Sequence, residues 1–161
     1  MKTIEAKSFY IVRFNDCDPL AHLNNSKYLD YMLNAREDHL RDAWDMELLD
    51  YHKQGFSWVV SNHEIQYLRP ALYNEKISIH SSLIEAGDSY VTVEMRMMDE
   101  HSKSLKALMW TKFTCVSVKT GKRHAHPEEF MDLAREIVNT EVNVSAGLKA
   151  RLGDFLPQKV G

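Results

Sequence analysis

From Phe56 to Val118 the chain passes through four strand-like runs, Phe56 to Leu68, Lys76 to Ile84, Tyr90 to Met98 and Leu105 to Val118, with no room between them for a crossover helix. Strands joined this closely are expected to form an antiparallel meander. Pro70 lies in the first connection, Gly87 and Asp88 tighten the second, Asp99 to Lys103 is polar, and Thr120 with Gly121 ends the last run. The alternations Ile77, Ile79, Ser81, Leu83 and Val91, Val93, Met95, Met97 predict strands with one buried and one wetter face.

Ahead of this meander, Ala6 to Phe14 is rich in β-forming residues and stops at the turn cluster Asn15 to Pro19. From Ser26 to Asp42, Tyr28, Leu29, Tyr31, Met32, Leu33, Ala35 and Leu40 cover more than one helix face, which predicts a central, largely enclosed helix. Its charged residues Arg36, Glu37, Asp38 and Arg41 gather toward a far end expected to meet solvent. Beyond Pro127, Phe130, Leu133, Ala134, Ile137 and Val138 recur at helical spacing, while the tail after Asn139 carries no clear pattern. The expected fold class is α+β, a strongly curved five-stranded antiparallel sheet wrapped around the long helix, with a C-terminal helix, as one domain over 1–161. Open sheet edges call for cover by a second copy, in a homodimer or a larger assembly.

Of the 161 residues, 44% are hydrophobic, enough for a core. A net charge of −3 supplies no basic field for nucleic acid. There is no apolar run long enough to span a bilayer and no secretory signal, and Cys17 and Cys115 read as free thiols, so a cytoplasmic protein is expected.

Chemistry concentrates in Arg13 to Tyr31, RFNDCDPLAHLNNSKYLDY, where two carboxylates, a histidine and two asparagines surround a strand-to-helix junction. Unpaired N–H groups in the first turn of a helix can hold a developing negative charge while a nearby carboxylate attacks or activates water. Metal is the competing reading, since Asp16, Asp18 and His22 lie close together and His124 and His126 form a second pair, but closing ligand spacings are absent and no metal is assigned. Neither a nucleophile elbow nor a glycine-rich phosphate loop is present.

The DCDPLAHLNNSKY junction, the later YLRPALYNEKISI segment and the order of elements resemble the hotdog-fold acyl-CoA thioesterases of the 4-hydroxybenzoyl-CoA thioesterase type, over residues 5 to 135. The family's D-x-D pattern falls on Asp16 and Asp18, and its H-x-N-N-x-x-Y pattern on His22, Asn24, Asn25 and Tyr28. The resemblance implies that Asp18 is the catalytic carboxylate, that the Asn25 backbone N–H polarises the thioester carbonyl, and that the pocket forms between subunits of a homodimer or homotetramer. The chain departs from the 4-hydroxybenzoyl-CoA enzyme at Glu85 to Tyr90, which lacks adjacent arginines, and at Ala21, where the family has glycine.

Asp18 can act as general base or as nucleophile, and the sequence leaves both open. Asp16 reads as the structural member of the pair, placed with Asn24 and Tyr28 beside the substrate. His22 either orients a carboxylate or water, as a third catalytic residue, or satisfies local backbone groups. Asn24 is the expected helix cap, Tyr28 lines the pocket or fills the core, and Cys17 packs. Lys103, Lys106, Lys119, Lys122 and Arg123 are candidate cations for the coenzyme phosphates, and Trp58, Tyr67 and Phe113 candidate pocket walls. The function expected is hydrolysis of an acyl-CoA to a free acid and coenzyme A, with no cofactor beyond the coenzyme in the substrate. The rivals are an acyl carrier protein thioesterase, a hotdog-fold hydratase or dehydratase, and a non-catalytic acyl-CoA binder.

Overall fold

The computed structural model describes residues 2–156. Strand β1 (Glu5–Ile11) leads through a 3-10 turn (Phe14–Asp16) and an irregular loop into helix α1 (Asn25–Trp44), then a short helix α2 (Leu48–Lys53) and strands β2 (Phe56–Tyr67), β3 (Lys76–Ala86), β4 (Tyr90–Asp99) and β5 (Leu105–Ser117). Helix α3 (Glu128–Ile137), a second 3-10 turn (Val144–Ala146) and helix α4 (Leu148–Leu152) follow. β1 ends earlier than Phe14 because the chain tightens there, the Cys17 N–H donating to the Phe14 carbonyl at 3.1 Å.

One five-stranded antiparallel sheet forms in the order β1-β3-β4-β5-β2, so β1 and β2 are its edges; the expected meander holds for β3, β4 and β5, but β2 pairs with β5 and leaves β3 to β1. Register pairs include Ser8 with Ile79, Leu83 with Val93 and Trp58 with Cys115. The register shifts between Val60 and Asn62 in β2, between Leu83 and Glu85 in β3 and between Met97 and Met98 in β4. Such bulges sharpen local twist and bend a sheet.

Against the inner face lies α1, whose Tyr28, Met32 and Ala35 join Ile77, Ile79, Val93, Met95, Met97 and Met109 in the main core. Burial of each of these larger side chains is worth roughly 1.5–3 kcal/mol. Contrary to the expectation of a largely enclosed helix, α1 buries one stripe and leaves Asp30, Asn34, Glu37 and Arg41 exposed. Its far end does not simply meet solvent, since Arg36 and His39 are buried.

The expected wet face of the sheet is also dry. Ser78, His80, Ser82, Thr92, Glu94 and Arg96 are buried on the outer side of β3 and β4; Glu5 and Ser102 meet His80, and the chain after Asn139 folds over Glu94 and Arg96. Val142, Leu148 and Leu152 pack there on Ile84, Met98, Leu105, Leu108 and Trp110. A polar clamp holds this cover. The Glu94 carboxylate, with no exposed surface, accepts from Arg151 Nε at 2.8 Å and Nη2 at 2.9 Å, from Trp110 Nε1 at 3.0 Å and from Arg96 Nη1 at 3.2 Å. The Phe155 ring sits against both guanidinium groups. Cys17 and Cys115 are free thiols. Among the described residues, no helix is long and apolar enough to cross a membrane.

Candidate active site

The loop between β1 and α1 doubles back on itself as a miniature hairpin. The Asn24 N–H donates to the Asp16 carbonyl at 2.9 Å, the Asp18 N–H to the His22 carbonyl at 2.8 Å, and Cys17 bridges Leu23. Inside this turn Asp18 Oδ1 accepts two backbone N–H groups, Leu20 at 2.9 Å and His22 at 3.1 Å. One carboxylate oxygen is thereby fixed, and Oδ2 carries no hydrogen bond within the described residues. Ala21, at φ 61°, occupies the left-handed region that favours glycine. The hairpin needs that turn, which accounts for a glycine in the related pattern.

Asn24 caps α1 as expected, its Oδ1 accepting from the Ser26 N–H at 3.1 Å. Asn25 is therefore the first helical residue, and its own N–H has no acceptor within the described residues. The Tyr67 hydroxyl donates to the Asn25 carbonyl at 3.0 Å, tying the end of β2 to the helix start.

The remaining residues singled out in the sequence separate by role. Asp16 Oδ2 accepts from the Tyr31 hydroxyl, and burial together with that bond pushes Tyr31 up to about 12. Cys17 packs on the core, its thiol pushed up by burial and by Asp16 and Asp18. His22 is half-buried, its backbone bridging Leu72, and its imidazole makes no hydrogen bond within the described residues. Tyr28 sits in the core, with its hydroxyl accepting from the Ala71 N–H at 3.0 Å and its ring edge-on to Tyr67.

The histidine pair separates too. His126 is buried with Nδ1 on the Gly87 carbonyl and its ring stacked on Trp58, whereas His124 is exposed and packs on Phe56. No group of three or more metal-ligating side chains comes together among the described residues. Of the candidate cations, Lys106 is buried and committed to Glu75 at 3.0 Å and the Pro70 carbonyl at 3.1 Å, which removes it from coenzyme binding. Lys103, Lys119, Lys122 and Arg123 remain exposed.

A cavity of about 380 Å³ opens elsewhere, between the second half of α1, the inner sheet face and α3. Trp58 and Phe113 line it, as do Leu33, Leu40, Val60 and Phe130, but Tyr28 and Tyr67 do not. None of Asp16, Asp18, His22, Asn24 and Asn25 reaches it. At 1.5 Å per helical residue, Leu33 to Leu40 lie roughly 12–22 Å along α1 from Asn25. Within one chain the carboxylate turn and the cavity are apart.

Sequence reasoning missed a polar relay behind that cavity. Arg36 Nη1 donates to Ser81 Oγ at 2.9 Å, and His39 bridges Ser81 Oγ (Nδ1, 2.6 Å) and Ser8 Oγ (Nε2, 2.7 Å). Ser8 donates to the Tyr10 hydroxyl at 2.9 Å, and Tyr10 donates to Asp38 at 2.7 Å. The signal available was the spacing of Arg36 and His39 with Met32 and Ala35, which puts two polar residues on the buried stripe.

A long helix held on the inner face of a five-stranded antiparallel sheet, with a carboxylate turn leading into that helix, defines the class: a hotdog-fold thioester hydrolase. The chain belongs to the thioesterase-like superfamily, whose family model matches residues 12–133. It is similar to the long-chain acyl-CoA thioesterase FadM of Escherichia coli strain K12, 28% identical over 128 residues that span 79% of this chain and 95% of that protein. Among solved structures, it resembles a DHNA-CoA thioesterase from Staphylococcus aureus (TM-score 0.77, 16% identity, 84% of this chain and 91% of that one). It also resembles YbaW, a probable thioesterase from Escherichia coli (TM-score 0.71, 25% identity, 83% and 98%). The cover over the outer sheet face lies beyond the residues that the family model matches.

Proposed function

We propose that this protein hydrolyses acyl-CoA thioesters to a free acid and coenzyme A, with Asp18 as general base or nucleophile and the Asn25 N–H as oxyanion donor. The observation that carries the reading is the pairing of a carboxylate anchored through one oxygen with an unoccupied N–H at the start of a twenty-residue helix. As base, Asp18 takes a proton from water while the water oxygen attacks the thioester carbon. The carbonyl oxygen becomes an oxyanion facing the Asn25 N–H, where the helix dipole adds to the hydrogen bond. Collapse breaks the C–S bond, and the departing thiolate recovers the proton from Asp18. As nucleophile, Asp18 forms a mixed anhydride with loss of the thiolate, and water then cleaves it. Both routes balance with water alone and call for no cofactor.

The acyl group belongs in the cavity, and a homodimer joined along β2 supplies the geometry. β2 is a long edge with Val59 and Val60 exposed near its middle, a surface that invites pairing. If two copies pair antiparallel about the midpoint of the strand, at the exposed Ser61 and Asn62, the Phe56 end of one β2 meets the Tyr67 end of the other. Trp58 and Val60 line the cavity at the first end, while Tyr67 holds Asn25 at the second. One copy's cavity then adjoins its partner's carboxylate turn.

The test is thiol release from a panel of fatty, branched and aromatic acyl-CoAs by the purified protein, alongside thioester absorbance. Saturable release of thiol with loss of the thioester is the expected result. Hydration of an enoyl-CoA without thiol release, turnover confined to acyl carrier protein substrates, or binding without turnover each contradicts the reading.

A further inference from the structure

Among the described residues three lysine or arginine side chains are buried, Arg36, Arg96 and Lys106, and two of these, like the largely covered Arg151, meet carboxylates. Arg96 pairs with Glu5 at 2.7 Å and Glu94 at 3.2 Å, Lys106 pairs with Glu75 at 3.0 Å, and the largely covered Arg151 pairs with Glu94 at 2.8 Å. Arg36, only 6% exposed, has no carboxylate within 4.0 Å among the described residues. One hydrogen bond to Ser81 Oγ and a stack on the Trp44 ring, 4.7 Å from its centroid, are its polar support. Burial lowers its pKa to about 9, so it is still charged at neutral pH.

Arg36 also lines the cavity, whose wall is otherwise mostly aliphatic and aromatic: Leu33, Leu83, Val91, Val93 and Phe113. The other charged residue on that wall, Glu37, has a half-exposed side chain that lies 4.0 Å from Arg41. A desolvated guanidinium without an anion is costly, and its planar fork of donors fits a carboxylate best.

We propose that the cavity receives an acyl group whose far end carries a carboxylate, and that Arg36 pairs with that carboxylate. The inference rests on the acyl-CoA hydrolase reading and names its substrate class: CoA monothioesters of dicarboxylic acids. The apolar wall holds the methylene chain, and Arg36 reads the end of it. Arg36 is then a specificity residue, set apart from the bond that breaks.

The experiment compares kcat/KM for a length series of dicarboxylic acid CoA monothioesters with that for fatty acyl-CoAs of matching length, in the wild type, Arg36→Met and Arg36→Lys. At the best length the wild type is expected to favour the ω-carboxylate by about tenfold or more, and Arg36→Met to lower that ratio by about a hundredfold, mainly through KM. Arg36→Lys, which keeps the charge, is expected to fall between. A wild type that discriminates against the ω-carboxylate at every length overturns the proposal, as does an Arg36→Met protein that loses both series in parallel, the mark of a structural arginine. If no acyl-CoA is turned over, the hydrolase reading fails by itself. Calorimetric titration of the wild type and Arg36→Lys with free dicarboxylates and with the uncharged diols of the same length then decides the cavity's preference. Binding of the diacid alone, weakened in Arg36→Lys, supports it, and equal binding or none overturns it.

Discussion

The Tyr31 hydroxyl donates to Asp16 Oδ2 at 2.5 Å while accepting from the Arg13 N–H at 3.1 Å, which fastens the carboxylate turn to the second turn of α1. Asp16 is therefore occupied in holding the loop that presents Asp18. Tyr31→Phe is expected to lower stability by about 2 kcal/mol, the usual worth of a hydrogen bond to a charged group. A urea midpoint that shifts while kcat falls only a few-fold checks this; loss of activity without loss of stability assigns Asp16 to the chemistry instead.

Asn25 offers a clean test of the oxyanion donor. Proline is accepted at the first helical position, where it deletes the N–H and nothing else of the helix, and Asn24 at φ −62°, ψ 137° already has the extended backbone that must precede it. Asn25→Pro is expected to keep its circular dichroism and lose about a hundredfold to a thousandfold in kcat. Asn25→Ala, which keeps the N–H, is expected to stay near the wild-type rate.

The clamp on the outer sheet face makes a stability prediction. Arg151→Met removes two donors from the fully buried Glu94, an expected cost of about 3 kcal/mol. Adding Glu94→Gln to that variant removes the stranded charge and is expected to recover part of the loss. A double-mutant cycle in chemical denaturation measures the coupling, and additive losses would dissolve the clamp.

Stability should also fall in mild acid. Burial, and then the nearby Arg36 charge, lower His39 to about 4 from 6.5, so between those values the unfolded chain binds a proton that the folded protein refuses. The contribution is complete above pH 6.5 and is lost as pH falls toward 4, up to roughly 3 kcal/mol. Glu5 extends the decline: burial alone would raise it, but hydrogen bonds from His80 and Arg96 outweigh that and hold it at about 2, so its share fades from pH 4.5 downward. Denaturant midpoints across this range, in wild type and His39→Gln, should show the slope above pH 4.5 flatten in the variant.

Strand order of appearance, the long helix and the capped junction were legible because each is written locally, in alternation, turn residues and the Asn24 cap. Less legible was everything set by partners distant in sequence. Arg36 looked like a surface charge until Ser81, 45 positions later, received it. The outer sheet face looked wet because the segment that dries it, from Val142 to Phe155, has no periodicity of its own and takes its shape from Glu94 and Trp110. The D-x-D and H-x-N-N patterns pointed to Asp18 and Asn25, but not to the cavity, which draws on α1, α3 and four strands at once.

The most direct measurement is thiol release by Asp18→Asn, on the best acyl-CoA from the panel and with folding and assembly matched to wild type. The amide keeps an oxygen for the Leu20 and His22 N–H groups, so the turn survives and the carboxylate alone is lost. A fall in kcat of about a thousandfold or more, with KM little changed, is the expected result. Turnover within a few-fold of wild type would contradict the account and move the search for the reacting group away from Asp18.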